Sequence, residues 1–104
     1  MTVRELANTG LFKAITMPDP DREIVGVYIG DLLSWVMGRA GEDNAWITIM
    51  SNANILAVAT LADVACIILA EGVTLEEDVK ATAEAKGVNV LTTNMSAYEI
   101  ARII

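Results

Sequence analysis

The chain has 104 residues, of which 14 are acidic, seven are basic and none is histidine, so its formal net charge at pH 7 is −7. This length predicts a single domain over residues 1–104 and excludes a multidomain enzyme. With 54% hydrophobic and 20% charged residues, the composition excludes intrinsic disorder. The acidic pI of about 4.3 argues against nucleic acid and anionic membranes as partners, because both are bound through clustered lysine and arginine.

The first residues and the single cysteine predict a cytoplasmic protein. The N-terminal residues lack the charged segment and apolar run of a signal peptide. Cys66 lies in an apolar run, and because no histidine is present to activate it, we expect a buried side chain and not a nucleophile. The apolar stretch 55–70 is too short for a membrane span and contains Asp63.

The predicted elements alternate between helices and strands. In chain order they are a helix over 3–8 that stops at Gly10, strands over 11–16 and 24–29, a helix from Asp31 to Met37, a strand over 45–50, a helix from Ser51 or Asn52 to Leu61, a strand over 65–69, a helix between Thr74 and Gly87, a strand over 89–93 and a helix from Ser96. Three helix starts match the capping box: Thr2 with Glu5, Thr74 with Glu77 and Ser96 with Glu99.

This order of elements predicts the fold class. From residue 24 onward every strand is followed by a helix, which requires right-handed crossovers between parallel strands. The run from Ala65 to Leu69 is apolar without alternation, which is typical of a strand covered on both faces. We therefore predict an α/β domain with a mostly parallel sheet of about five strands and helices on its faces.

The sequence gives little indication of a catalytic site or a metal site. No phosphate-binding loop or dinucleotide fingerprint occurs, and the serines lie near helix starts, where they act as caps. Asp19, Asp21 and Glu23 alternate and offer oxygen ligands, but they lack the glycine and terminal glutamate of a calcium loop. We predict no catalytic residue, cofactor or metal site, and a small metal-dependent enzyme using these three acids is the alternative.

A binding site is predicted where ligands bind in open parallel sheets, beyond the carboxyl ends of the strands. The loops there are rich in small hydroxyl and amide side chains, which predicts a small polar ligand contacting Ser51, Asn52, Asn54, Thr93 and Ser96. The same side chains also suit helix caps and turns, so both interpretations stay open. Asp31 and Glu71 would repel a phosphate at this rim.

A self-association surface is predicted on the helix after the second strand. Trp35 and Arg39 are four residues apart, so the guanidinium can stack on the indole. An indole partly outside the core indicates an interface, although Trp35 can equally close over the sheet edge. Because so apolar a chain leaves apolar area outside its core, we predict a homodimer through Trp35, Val36, Met37, Ile103 and Ile104.

Several segments give the chain a family resemblance. They are residues 21–34, 54–59, 64–69 and 90–93. In this order they resemble the DRTGG domain family, small α/β modules related to the N-terminal domain of bacterial HPr kinase/phosphorylase. The family's Asp-Arg-Thr aligns near residues 51–54, where this chain has Ser-Asn-Ala-Asn, and its glycine pair aligns with Glu71-Gly72.

The resemblance implies an HPr kinase N-terminal-domain-like fold and a regulatory or assembly role without the kinase domain. We predict a non-enzymatic regulatory or ligand-sensing module that acts through self-association and a partner protein. A purely structural assembly subunit is a further alternative.

Overall fold

The computed structural model describes all 104 residues, and they form five helices and five strands. The elements in chain order are α1 (Val3–Ala7), β1 (Lys13–Thr16), β2 (Gly26–Ile29), α2 (Leu33–Arg39), β3 (Asn44–Thr48), α3 (Asn54–Ala62), β4 (Cys66–Leu69), α4 (Glu77–Ala85), β5 (Val90–Thr92) and α5 (Ala97–Ile103). The predicted order of strands and helices is confirmed.

All five strands belong to one sheet in the order β1-β5-β4-β3-β2. Strands β2, β3, β4 and β5 run parallel, whereas β1 joins the edge antiparallel to β5, with Lys13 opposite Thr92. This arrangement confirms the predicted α/β fold with a mostly parallel sheet. It also brings the first strand of the chain beside the last.

Two apolar cores cover the two faces of the sheet. Helices α2, α3 and α4 pack on one face, where Trp46 is fully buried and its indole N–H donates to the carbonyl oxygen of Gly30 at 2.9 Å. Helices α1 and α5 pack on the other face. Cys66 belongs to this second core and is 1% exposed, as predicted, and its burial raises the pKa of the thiol to about 12.

Helix starts differ from the sequence prediction at three places. The capping boxes at Thr2 and Ser96 are confirmed, but α4 starts only at Glu77 and Thr74 caps nothing. Asp31 does not cap α2, because its carboxylate accepts hydrogen bonds from the end of β3 instead, and α2 continues through Gly38 to Arg39. Helix α3 starts at Asn54, later than predicted, after a turn in which the Asn52 side chain accepts from the Asn54 amide at 2.9 Å.

No helix of the structure has the length and apolar character needed to cross a membrane.

Candidate functional site

The largest cavity opens at the sheet edge where the parallel strands end. It has a volume of about 500 Å³, within the roughly 300 to 1,000 Å³ of small-molecule sites. Because β1 is antiparallel to β5, the residues before β1 meet the residues after β4 and β5 at this edge. We call the cavity the Lys13 groove, and its lining residues are Gly10, Leu11, Phe12, Lys13, Gly72, Thr74, Thr92, Thr93 and Asn94.

Lys13 is the only charged residue among those that line the groove. The structure contains four salt bridges, and none of them involves Lys13. The ammonium group therefore has no carboxylate partner within the chain. Lys13 is thus the one side chain of the lining that carries a charge to attract an anion.

Two threonine hydroxyls hold the walls of the groove together. The Thr92 hydroxyl donates to the carbonyl oxygen of Val73 at 2.6 Å, which ties β5 to the loop after β4. The Thr93 hydroxyl donates to the carbonyl oxygen of Leu11 at 3.0 Å, which ties the end of β5 to the segment before β1. These hydroxyl protons are already used, so the two residues shape the groove more than they supply donors to a ligand.

Thr74 and Asn94 carry the polar groups that remain free. Neither the Thr74 hydroxyl nor the Asn94 side-chain amide makes a hydrogen bond within the chain, and the backbone N–H groups of both residues also lack a partner. Both residues are exposed. Together with Lys13 they give the groove several hydrogen-bond donors that the fold itself does not use.

A left-handed pair of residues sets the position of one wall. Glu71 and Gly72 both have positive φ, 59° and 76°, and their amides donate to the carbonyl oxygens of Met95 and Thr93. A Cβ atom added at Gly72 would lie 2.8 Å from the Asn94 side-chain oxygen, so only glycine leaves Asn94 its place. The positive φ at both positions agrees with the alignment of a glycine pair to residues 71 and 72.

The five residues predicted to bind a ligand are not brought together. Thr93 lines the groove, whereas Ser96 is occupied in the capping box of α5. Ser51, Asn52 and Asn54 belong to the turn before α3 and the first residue of that helix, and none of them lines the groove.

Lys13, Thr74 and Asn94 are the residues that sequence reasoning missed. The antiparallel placement of β1 beside β5 is what brings Lys13 to the rim. No local pattern in the sequence specifies that pairing. The late start of α4 leaves Thr74 free of the capping role that its spacing to Glu77 indicates.

Two of the three acidic side chains before β2, Asp21 and Glu23, are held in ion pairs. Asp21 is paired with Arg4 at 3.0 Å, and the hydrogen bond from that guanidinium lowers the pKa of Asp21. Glu23 is paired with the N-terminal ammonium at 3.0 Å, and the Asp19 backbone N–H donates to Asn89. No three aspartate, glutamate or cysteine side chains of the structure lie close enough together to hold a metal ion. This arrangement does not favour the metal-dependent alternative.

The residues predicted at the interface lie in different environments. Trp35 is 52% and Met37 48% exposed on α2, and the Arg39 guanidinium lies 3.8 Å from the centre of the Trp35 ring, which confirms the predicted stacking. Val36 is fully buried in the core beneath α2. The prediction that Val36 lies at an interface is therefore wrong. Ile103 and Ile104 are half-buried against the core on the opposite face of the sheet. The five residues therefore do not form one surface.

The fold is a small α/β module with an open cavity where the parallel strands of its sheet end. The DRTGG domain pattern matches residues 22–104, and the chain belongs to the DRTGG domain family. No curated protein shows a matching sequence.

A solved structure with the same fold is the CBS and DRTGG domains of the regulatory region of Clostridium perfringens pyrophosphatase, complexed with the activator diadenosine tetraphosphate. The TM-score is 0.74 and the sequence identity 17%, over 97% of this chain and 44% of that chain. The chain thus spans less than half of that regulatory region, and the likeness establishes the fold.

Proposed function

We propose that this chain is a non-enzymatic regulatory module that senses a small polar ligand in the Lys13 groove and acts through self-association and a partner protein. The observation that carries the proposal is a cavity of about 500 Å³ whose Lys13, Thr74 and Asn94 have polar groups with no partner in the fold. Membership of the DRTGG family supports a regulatory role, since a DRTGG domain occurs in the regulatory region of the Clostridium perfringens pyrophosphatase.

The chemistry of the groove supports binding without catalysis. Its polar residues are threonine, asparagine and lysine, and no carboxylate or thiol lines it. Cys66 is buried with its pKa raised to about 12, so its thiolate is not available at neutral pH. The lining offers no carboxylate or imidazole that could serve as the general base for a nucleophile.

The proposal treats residues 1–104 as one DRTGG-like unit in the cytoplasm. The family pattern begins at residue 22, but α1 packs in the core beneath α5 and β1 completes the sheet. Because β1 supplies Lys13 and the segment before it supplies Leu11 and Phe12, the groove needs residues outside the matched range.

A thermal-shift screen of metabolites tests ligand sensing. A ligand at 100 times its dissociation constant stabilises the folded state by about 2.7 kcal/mol, which corresponds to a rise in Tm of roughly 10 °C for a domain of this size. Asn94→Ala is expected to abolish the shift, and the matched Asn52→Ala, in the turn before α3, is expected to leave it intact. If Asn52→Ala abolishes the shift and Asn94→Ala leaves it intact, the ligand binds at the predicted residues 51–54 and not in the groove. If no metabolite raises the Tm, ligand sensing is overturned, and a purely structural assembly subunit is the function that remains.

Self-association is proposed through the exposed side of α2, where Trp35 and Met37 lie. Cyclic dimers are the commonest closed assemblies, and an exposed indole is typical of their interfaces. Light scattering is expected to give about twice the 11.1 kDa of one chain, and Trp35→Glu should return the protein to one chain.

Tyr98→Glu is the matched control for this experiment, because Tyr98 is 69% exposed on α5 and the Arg102 guanidinium lies 5.5 Å from the centre of its ring. It should leave the dimer intact. A monomer in the unaltered protein would exclude self-association, and equal effects of both changes would exclude α2 as the interface.

A further inference from the structure

We infer that the ligand of the Lys13 groove is a small organic phosphate of at most about mononucleotide size. This inference rests on the proposed ligand-sensing function and names the chemical class that the groove selects. Three properties of the groove carry it: its charge, its free donors and its shape.

The charge of the groove favours an anion. Lys13 is the one charged residue of the lining and has no carboxylate partner. Glu71, which the sequence predicts to repel a phosphate here, is exposed and does not line the cavity. The one acid that lines the adjoining depression is Glu77, and Lys80 lies there as well. The groove and this depression are thus lined by two lysines and one carboxylate, which favours an anion.

The free donors favour phosphate over a neutral polar group. The Lys13 ammonium, the Asn94 side-chain amide, the Thr74 hydroxyl and the backbone N–H groups of Thr74 and Asn94 have no partner in the fold. A phosphoryl group presents three terminal oxygens that accept several hydrogen bonds at once. Hydrogen bonds to a charged acceptor are about twice as strong as neutral ones. A set of donors with only one cation is thus best satisfied by a phosphate.

The shape of the groove leaves room for an organic part beside the phosphate. Leu11, which is 50% exposed, and Phe12 form an apolar portion of the lining. The groove also continues along β1 into a depression of about 240 Å³ that shares Lys13, Thr74 and Thr92 and adds Lys80 and Glu77. A free phosphate ion would leave most of this space empty, whereas a sugar phosphate or a mononucleotide would fill it.

The test compares AMP, inorganic phosphate and adenosine by NMR titration of the full chain. AMP and, more weakly, phosphate are expected to shift the backbone amide signals of Gly72, Thr74 and Asn94 in a saturable way. Adenosine, which lacks the phosphoryl group, should not. Lys13→Gln should weaken AMP binding about tenfold or more, and Lys86→Gln, the same change on a lysine outside the groove and its neighbouring depression, should leave it unchanged.

Three results would overturn the inference. The first is adenosine binding as tightly as AMP, the second is AMP binding that does not respond to Lys13→Gln, and the third is saturable shifts confined to residues 51–54. The experiments distinguish a failure of this inference from a failure of ligand sensing itself. A neutral metabolite from the thermal-shift screen that binds the groove while AMP and phosphate do not would exclude the phosphate and leave sensing in place, whereas no ligand of either kind would exclude both.

Discussion

Arg22 donates two hydrogen bonds to one carboxylate oxygen of Asp43, from Nε at 2.9 Å and from Nη2 at 2.7 Å. The same guanidinium contacts Asp63 at both its carbonyl oxygen, at 2.7 Å, and its carboxylate, at 2.9 Å. Burial lowers the pKa of Arg22, but the hydrogen bonds and charges of the two aspartates outweigh it and raise the pKa. These contacts join the loops before β2, β3 and β4 at the edge of the sheet opposite the groove.

Replacing Arg22 by glutamine should lower the free energy of unfolding by about 2 kcal/mol. The change removes charge-assisted hydrogen bonds at a partly buried site, each of which contributes roughly 1.5 to 3 kcal/mol in such settings. Chemical denaturation measures the loss. Arg4→Gln is the control, because the Arg4–Asp21 pair is exposed and its loss should lower the free energy of unfolding much less. Equal costs would show that the Arg22 contacts contribute no more than a surface pair.

Replacing Glu71 by glycine should stabilise the protein. Glu71 has φ 59°, a left-handed conformation that costs a residue with a Cβ atom about 1 to 2 kcal/mol. Glycine removes this strain but adds about 0.4 to 1 kcal/mol of entropy to the unfolded state, so the net gain should be about 0.5 to 1 kcal/mol. Glu84→Gly, inside α4, should destabilise the protein instead, by about 1 kcal/mol. If Glu71→Gly is less stable than the unaltered protein, the backbone at Glu71 is not strained.

Ser96→Ala and Thr74→Ala should differ although both residues begin a capping-box pattern. Ser96 accepts from the Glu99 amide at 3.2 Å and the Glu99 side chain accepts in return at 3.1 Å, so its loss should cost about 1 kcal/mol. Thr74 caps no helix, and its replacement should change stability by less than about 0.5 kcal/mol. Thermal unfolding of the two variants makes the comparison, and a larger cost at Thr74 would be inconsistent with the late start of α4.

Cys66 should make the protein less stable in alkali. Its thiol has a pKa of about 12 when folded and 9.0 as the reference for the unfolded chain. A folded pKa raised above the unfolded one gives stability that is complete below about pH 9 and is lost as the pH rises toward 12. The loss should approach about 1.4 kcal/mol per pH unit. Urea denaturation between about pH 9 and about pH 11 should show a smaller decline in Cys66→Ala, and the same decline in both proteins would refute the assignment.

The parallel part of the fold could be predicted because each of its elements carries a local signal. The apolar run around Cys66 and Ile68 indicates a buried strand, and the serine and glutamate of the last helix mark its start. The observed strands and capping at Ser96 agree. The stacking of Arg39 on Trp35 also follows from spacing along one helix.

The groove could not be predicted because its walls come from distant parts of the chain. Lys13 reaches the rim only because β1 pairs with β5, and strand pairing is decided by packing of the whole sheet and not by any short pattern. Thr74 matches a helix cap by spacing, but residues 73–76 form no helix, and α4 starts only at Glu77, which leaves Thr74 free. The predicted residues 51–54 are close together in sequence, and there the Asn52 side chain accepts from the Asn54 backbone N–H in the turn before α3.

The hydrogen bond between Thr93 and Leu11 joins residues 82 positions apart. Since β1 pairs only with β5, β1 can form its ladder only after the much later β5 has been synthesised. Closing so long a loop is entropically unfavourable and slow compared with the local strand–helix–strand units between them. We therefore expect the groove to be the last part of the protein to assemble, and its backbone amides to be among the first to exchange with solvent deuterium.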